Sequence, residues 1–240
     1  MSGADLVRVS YDDLCAVLSR VDEESSWAAT GCLGWSVRDL TFHCLLDAQR
    51  ALVALHAPSD RGPDRDAVSY WRGWGSDAAA DANGRRFVRV VAGMFRDWDQ
   101  LRALHRETAP ALVRAAAQAD PDHVVSSQGH TLLVDDLLRT LAVEAAVHHL
   151  DLVEHVPGEA GPSEDMLHEV RRVLDDLAGE AFPAEWTDDR VVRIGTGRAH
   201  PGPRRRVAWG LWPSGSRSSP DLGGGPWADD RARVVPRTGM

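Results

Sequence analysis

Glu144, His148 and Asp151 interrupt an apolar stripe without changing its spacing. In Leu137-Leu-Arg-Thr-Leu141-Ala-Val-Glu144-Ala-Ala-Val-His148-His-Leu-Asp151, positions 137, 141, 144, 148 and 151 are separated by four, three, four and three residues. On a helix all five therefore share one inward-facing stripe. Burying such groups without compensation costs on the order of several kcal/mol each. A bound divalent metal compensates most directly, because carboxylate oxygen and neutral imidazole nitrogen are ordinary ligands for zinc and its neighbours. Glu144 and His148 are the first candidates, and metal sites in helical bundles are commonly assembled from facing helices.

A third donor must come from elsewhere. His43 lies beside the stripe Val37, Leu40, Cys44, Ala48, Leu52, near the edge of that helix's buried face. Alone it reads as a satisfied core histidine, and the Glu144-His148 pair on another helix is what raises it. Other sets stay open. Asp151 and His155 continue the same face, so the pair could be His148 and His155 with Asp151 supporting them. His105 extends the stripe of a long helix. His149 points about a hundred degrees away from His148 and is expected at a surface or edge. A metal-free alternative is a buried ion-pair network joining Glu144 or Asp151 to Arg38 or Arg139.

The elements that must position these residues read as successive amphipathic helices, an all-α class with no internal repeat. A first helix covers roughly 5–23. Ser36 and Asp39 offer a capping box, with Trp35 and Leu40 able to staple it, for a second helix reaching about Leu55. A long helix is expected over roughly 85–107 on the stripe Phe87, Val91, Met94, Trp98, Leu101, broken or bent at Pro110 and continuing to about Ala119. A loop from Asp120 through Gly129 leads to the Glu144 helix at 131–156. A fifth helix runs from Glu164 to about Glu180. Four principal helices suffice for a bundle, giving a metal-binding domain over 1–157, a partial C-terminal region over 162–199, and a tail over 200–240.

Composition narrows the possibilities. The 240 residues, 43% apolar and 26% charged, suit a soluble globular protein with one sizeable core. A net charge of −9 and the lack of a basic run beside aromatics argue against nucleic acid. No stretch is long enough to span a membrane, and the N-terminus lacks signal-peptide features, so the cytoplasm is expected. Cys15, Cys32 and Cys44 are odd in number and widely spaced, which predicts reduced, structural thiols. All 27 basic residues are Arg, and Asn83 and Ile194 are single representatives of their types, as expected of a GC-rich gene.

Gly34-Trp-Ser-Val-Arg-Asp-Leu-Thr-Phe-His43 and, a hundred residues on, Arg-Thr-Leu-Ala-Val-Glu144-Ala-Ala-Val-His148-His-Leu-Asp151-Leu resemble the mycothiol-dependent maleylpyruvate isomerase family, among the DinB-like four-helix bundles. The resemblance covers about residues 5–199. It implies a divalent metal, usually zinc, held by His43, Glu144 and His148. It also implies a supporting or catalytic role for Asp151, and Arg198 as a thiol- or substrate-binding arginine. With three protein ligands a position stays open for water or the thiolate of mycothiol. In an isomerase that thiolate adds to a conjugated double bond and is eliminated after rotation; in a transferase it stays on the product. The expected partners are a small electrophile and a low-molecular-weight thiol. The competing class is a noncatalytic metal-binding bundle, in which a fourth protein ligand such as Asp151 or His155 closes the site.

Fuller members of that family carry a longer folded C-terminal domain, whereas here the resemblance stops near Ala199. From Gly195 onward the 46 residues hold nine Gly, six Pro and eight Arg. Such a mixture builds no core, and it is what out-of-frame reading of GC-rich DNA would yield.

Overall fold

The computed structural model describes residues 1–72, 78–156 and 158–199. The tail over 200–240 and the boundary at Pro157 lie outside the described residues. Among the described residues seven α-helices follow one another: α1 (Gly3–Leu18), α2 (Val37–Ala54), α3 (Ala78–Ala92), α4 (Trp98–Gln118), α5 (Val134–Val153), α6 (Glu164–Ala178) and α7 (Asp188–Gly195). A two-stranded hairpin, β1 (Val124–Ser127) and β2 (His130–Leu133), precedes α5. Helices α1 and α2 each pack against both α4 and α5, which closes a four-helix bundle; α3 leans on α2, and α6 on α5 and α7. None of the helices among the described residues is long and apolar enough to cross a membrane.

Helix α5 is the centre of the bundle. From Val134 to Leu152 every residue except Asp135, Asp136 and Arg139 is buried. A helix buried nearly all round has no solvent side, and this one is enclosed by α1, α2 and α6 although it carries Thr140, Glu144, His148, His149 and Asp151 inside. Helix α2 starts as its sequence dictates: the Ser36 hydroxyl accepts from the Asp39 amide, and the Asp39 carboxylate accepts from the Ser36 amide at 2.8 Å. That reciprocal cap fixes the first turn, and with it the phase that directs His43 inward.

The expected long helix divides before Pro110, not at it. Helix α3 ends at Ala92, and α4 starts anew where the Asp97 carboxylate accepts from the Gln100 amide. The Trp98 amide donates to Glu23 Oε2 at 2.7 Å and its indole to the Val21 carbonyl at 2.8 Å, so a buried Trp anchors the new start. Pro110 is tolerated inside α4 because it stands on the exposed face, one turn after the exposed Arg106, where the carbonyl it leaves unbonded is on the solvent side. The break rotates the stripe: Val88, Ala92, Trp98 and Leu101 are buried, whereas Phe87 and Met94 are exposed.

The expected loop from Asp120 to Gly129 holds β1 and the turn, while residues 131–133, where the Glu144 helix was expected to begin, belong to β2; that helix starts at Val134. Gln128 and Gly129 form the hairpin's two-residue turn with φ of 52° and 81°, the doubly positive geometry that matches strand twist. The hairpin is tied to the chain after α2, with the Ser59 amide donating to the Val124 carbonyl and the Ser126 amide to the Ala57 carbonyl. Helix α7 was not foreseen either. It is capped by Thr187 and buries Val191, Val192 and Ile194, and Gly195 lies so close to Leu174 of α6 that a Cβ there would stand 2.8 Å from Leu174 Cδ1.

Candidate metal centre

Helices α2 and α5 bring His43, Glu144 and His148 together inside the bundle, all three buried. His43 Nε2 lies 3.1 Å from His148 Nε2 and 3.4 Å from Glu144 Oε1, and the third side of the triangle, His148 Nε2 to Glu144 Oε1, is 3.9 Å. Three donor atoms around one tetrahedral ion at bond lengths of about 2.0–2.2 Å stand roughly 3.3–3.6 Å apart. The triangle therefore suits a divalent cation. Between two imidazole nitrogens at 3.1 Å only one proton fits, so at least one of them presents a lone pair to the interior.

The outer side of His148 is held in place. Its Nδ1 lies 3.1 Å from Asp151 Oδ2, one turn further along α5. A proton on Nδ1 leaves Nε2 as the free lone pair, the tautomer that metal ligation needs. Asp151 is fixed from three directions. Arg198, just after α7, donates from Nε to Oδ1 at 2.6 Å and from Nη2 to Oδ2 at 2.5 Å. The Cys32 thiol donates to Oδ2 at 3.1 Å, and the Gly31 amide donates to the Asp151 carbonyl at 2.8 Å. Gly31 has no room for a side chain, because a Cβ there would meet Asp151 Oδ1 at 2.5 Å.

On the inner side His43 Nε2 also lies 3.2 Å from Asp47 Oδ2, one turn along α2, and Asp47 in turn pairs with Arg50 at 3.1 Å. The Trp35 ring packs on His43 at a centroid distance of 5.2 Å. Asp47, Arg50, Tyr70, Gln128, Thr140 and Glu144 line a small, half-open recess beside the triangle, with room for about one water-sized group.

Charge is distributed unevenly across these groups. Burial would push the His43 imidazole down, but Asp47 and Glu144 outweigh it and hold it above its ordinary range. Burial would raise Glu144, and His43 and His148 reverse the shift, so it stays a carboxylate. Asp47 moves up, through burial and the neighbouring charge of Glu144. Asp151 resists burial because Arg198 and His148 hold it well below the usual carboxylate range. Burial and Asp151 together push the Cys32 thiol well above its ordinary value.

The structure thus gathers His43, Glu144, His148, Asp151 and Arg198 in one cluster and leaves the other suggestions outside it. His155 is exposed on the surface. His105 is buried elsewhere, stacked on Tyr11 with Nδ1 3.9 Å from Cys15 Sγ. His149 is not a surface residue: it is buried, and its Nε2 lies 3.1 Å from the Ala160 carbonyl, because the chain leading into α6 covers that side of α5. Arg38 pairs with Glu23, and Arg139 with Asp135 and Glu169, so neither joins Glu144 or Asp151. Two members of the cluster escaped sequence reasoning. Asp47 was visible as a carboxylate four residues after His43. Cys32 had no comparable signal, because a loop places it.

Comparison with known proteins gives one family and one fold. Residues 7–153 match the family model described as the mycothiol maleylpyruvate isomerase N-terminal domain. The crystal structure of the mycothiol-dependent maleylpyruvate isomerase is similar at a TM-score of 0.60 and 18% identity, covering 83% of this chain and 90% of that one. The crystal structure of a histidine-to-alanine mutant of it is similar at a TM-score of 0.58 and 18% identity, covering 82% and 88%. At that identity the likeness is one of fold. No curated protein matches the chain.

Proposed function

The chain belongs to the mycothiol maleylpyruvate isomerase N-terminal domain family, and from that premise we propose that it is a divalent-metal-dependent, thiol-using isomerase or transferase acting on a small electrophile. His43, Glu144 and His148 are the proposed ligands and zinc the proposed metal. The observation that carries the reading is the triangle of two imidazole nitrogens and a carboxylate oxygen, buried where hydrocarbon packing would otherwise be expected. Bound there, a divalent cation would lower the pKa of a coordinated thiol and so supply a nucleophile at neutral pH.

The chain's own residues have separable tasks. Asp151 accepts a hydrogen bond from His148 Nδ1–H and so fixes its tautomer, and Arg198 keeps Asp151 ionised for that purpose. Asp47 stands at the recess beside His43, where a carboxylate can take up a proton released as a thiol ionises. Arg50 and Tyr70 line the same small recess and would meet an electrophile at its opening. Asp151 is engaged by Arg198 on the far side of His148 and His155 is exposed, so neither would close the triangle; the carboxylate near enough to do so is Asp47, 3.2 Å from His43 Nε2.

The test is metal content by elemental mass spectrometry on protein purified without a His-tag, for wild type, Glu144→Ala and His148→Ala. Near-stoichiometric divalent metal in wild type, lost in both variants, is expected, followed by metal-dependent consumption of mycothiol or an electrophile in a thiol assay. Wild-type protein that stays empty after reconstitution with zinc, manganese or cobalt would overturn the reading.

A further inference from the structure

The turn of the hairpin carries the one non-glycine residue with positive φ among the described residues, Gln128 at 52°. A strained residue persists only where its surroundings over-determine it, and such residues gather at functional sites. Here both strands are tied down. The Ser59 amide donates to the Val124 carbonyl, the Thr131 amide to Asp64 Oδ1, and the Thr131 hydroxyl to the Gly62 carbonyl. The turn is thereby fixed against the recess beside the metal triangle, which Gln128 lines together with Asp47 and Glu144. Its carboxamide oxygen Oε1 is buried with no hydrogen-bond partner among the described residues. Buried polar atoms are rarely left so, and each such case calls for a cause.

We propose that Gln128 is a specificity-determining residue, whose Oε1 accepts a hydrogen bond from a hydroxyl group of the incoming thiol; this rests on the thiol-using, metal-dependent reading above. The rest of the recess favours a donor at that place. Thr140 donates its own proton to the Leu137 carbonyl at 2.7 Å, so toward the recess it offers lone pairs alone. Asp47 and Glu144 are carboxyl groups, and the guanidinium of Arg50 stands against Asp47 at 3.1 Å. With room for about one water-sized group, the recess fits a hydroxyl. A carboxylate is too large for it, and its oxygens would meet the lone pairs of Gln128 and Thr140. The site would thus choose among thiols by a hydroxyl that takes no part in the reaction, because a thiol lacking it leaves a buried acceptor unpaired.

The test reads thiol binding, not turnover. The full chain is loaded with cobalt(II) without oxygen, and the rise of the near-ultraviolet thiolate-to-cobalt band is followed with 2-mercaptoethanol and with 1-propanethiol, which has a methyl group in place of the hydroxyl. The quantity compared is the ratio of the two Kd values. In Gln128→Leu and in Gln128→Gly it should move against 2-mercaptoethanol by about threefold to tenfold, the worth of one neutral hydrogen bond, with cobalt stoichiometry as in wild type. Gln128→Glu keeps an acceptor and should keep the ratio. Gln128→Gly also relieves the backbone, so lost discrimination in a chain of undiminished melting temperature separates ligand recognition from a structural role. A ratio that stays as in wild type in Gln128→Leu or Gln128→Gly, or that falls in Gln128→Glu, overturns the role of Gln128 and leaves the metal and thiol reading standing. A wild-type chain that takes up no cobalt, or shows no rise with either thiol, overturns that reading and this role together.

Discussion

Asp151 makes four polar contacts while buried, and its loss should be felt at a metal it need not touch. Asp151→Asn keeps the shape but gives up the charge that holds Arg198 and orders the His148 tautomer. Metal affinity, measured by competition with a chromophoric chelator, should fall by about 10–100-fold; unchanged affinity would detach Asp151 from the site. His105 offers a pH test away from the cluster. Burial lowers its pKa from 6.5 to about 4, so it is neutral in the fold and charges more readily when unfolded. The unfolded chain binds the extra proton between those values, and stability is therefore lost as pH falls from 6.5 toward 4. The loss is on the order of 3 kcal/mol when complete. Denaturant titrations of His105→Leu should show a flatter stability profile across that window than wild type. At this scale the sequence was most informative where a helix fixes spacing, as for Glu144, His148 and Asp151. It was silent for Cys32, which reaches Asp151 through the backbone of Gly31 and not through any period.

Elements repeat the contrast. The start of α2 was readable because a capping box is local chemistry, whereas the α3–α4 division was not, since the anchor that restarts the helix is Glu23, 75 residues away from Trp98. The hairpin was hidden for a related reason: its strands are four residues long, and its turn carries Gln128 where Asn or Gly would announce it. That turn supports a specific expectation. A non-glycine residue held at φ of 52° carries backbone strain of about 1 kcal/mol, so Gln128→Gly should raise the melting temperature by roughly 2–4 °C in a calorimetric scan. A lower melting temperature would mean that Gln128 contributes more through its contacts than its backbone costs. Conversely, Gly195→Val should loosen the α6–α7 packing against Leu174 and lower the melting temperature.

For the whole molecule, a metal that binds the folded bundle alone must stabilise it. At free metal a thousandfold above Kd the gain is about 4 kcal/mol. Chelation should therefore lower the melting temperature of wild type and leave Glu144→Ala unchanged; equal responses would argue that metal and bundle are not coupled. The bundle as a class was legible from helical periodicity, and the membership of its C-terminal part less so, because α7 is short and its neighbours in sequence are rich in Gly and Arg.

Arg198 stands 47 residues after the carboxylate that it neutralises and beyond the segment matched to the family, which ends at residue 153. During synthesis, therefore, the bundle helices leave the ribosome before the guanidinium that completes them. A nascent chain paused in that interval holds Asp151 without its main counter-charge, and His148 without a settled tautomer. A product cut short before Arg198 would therefore be a bundle in outline, with the Asp151–His148 pair lacking its guanidinium partner.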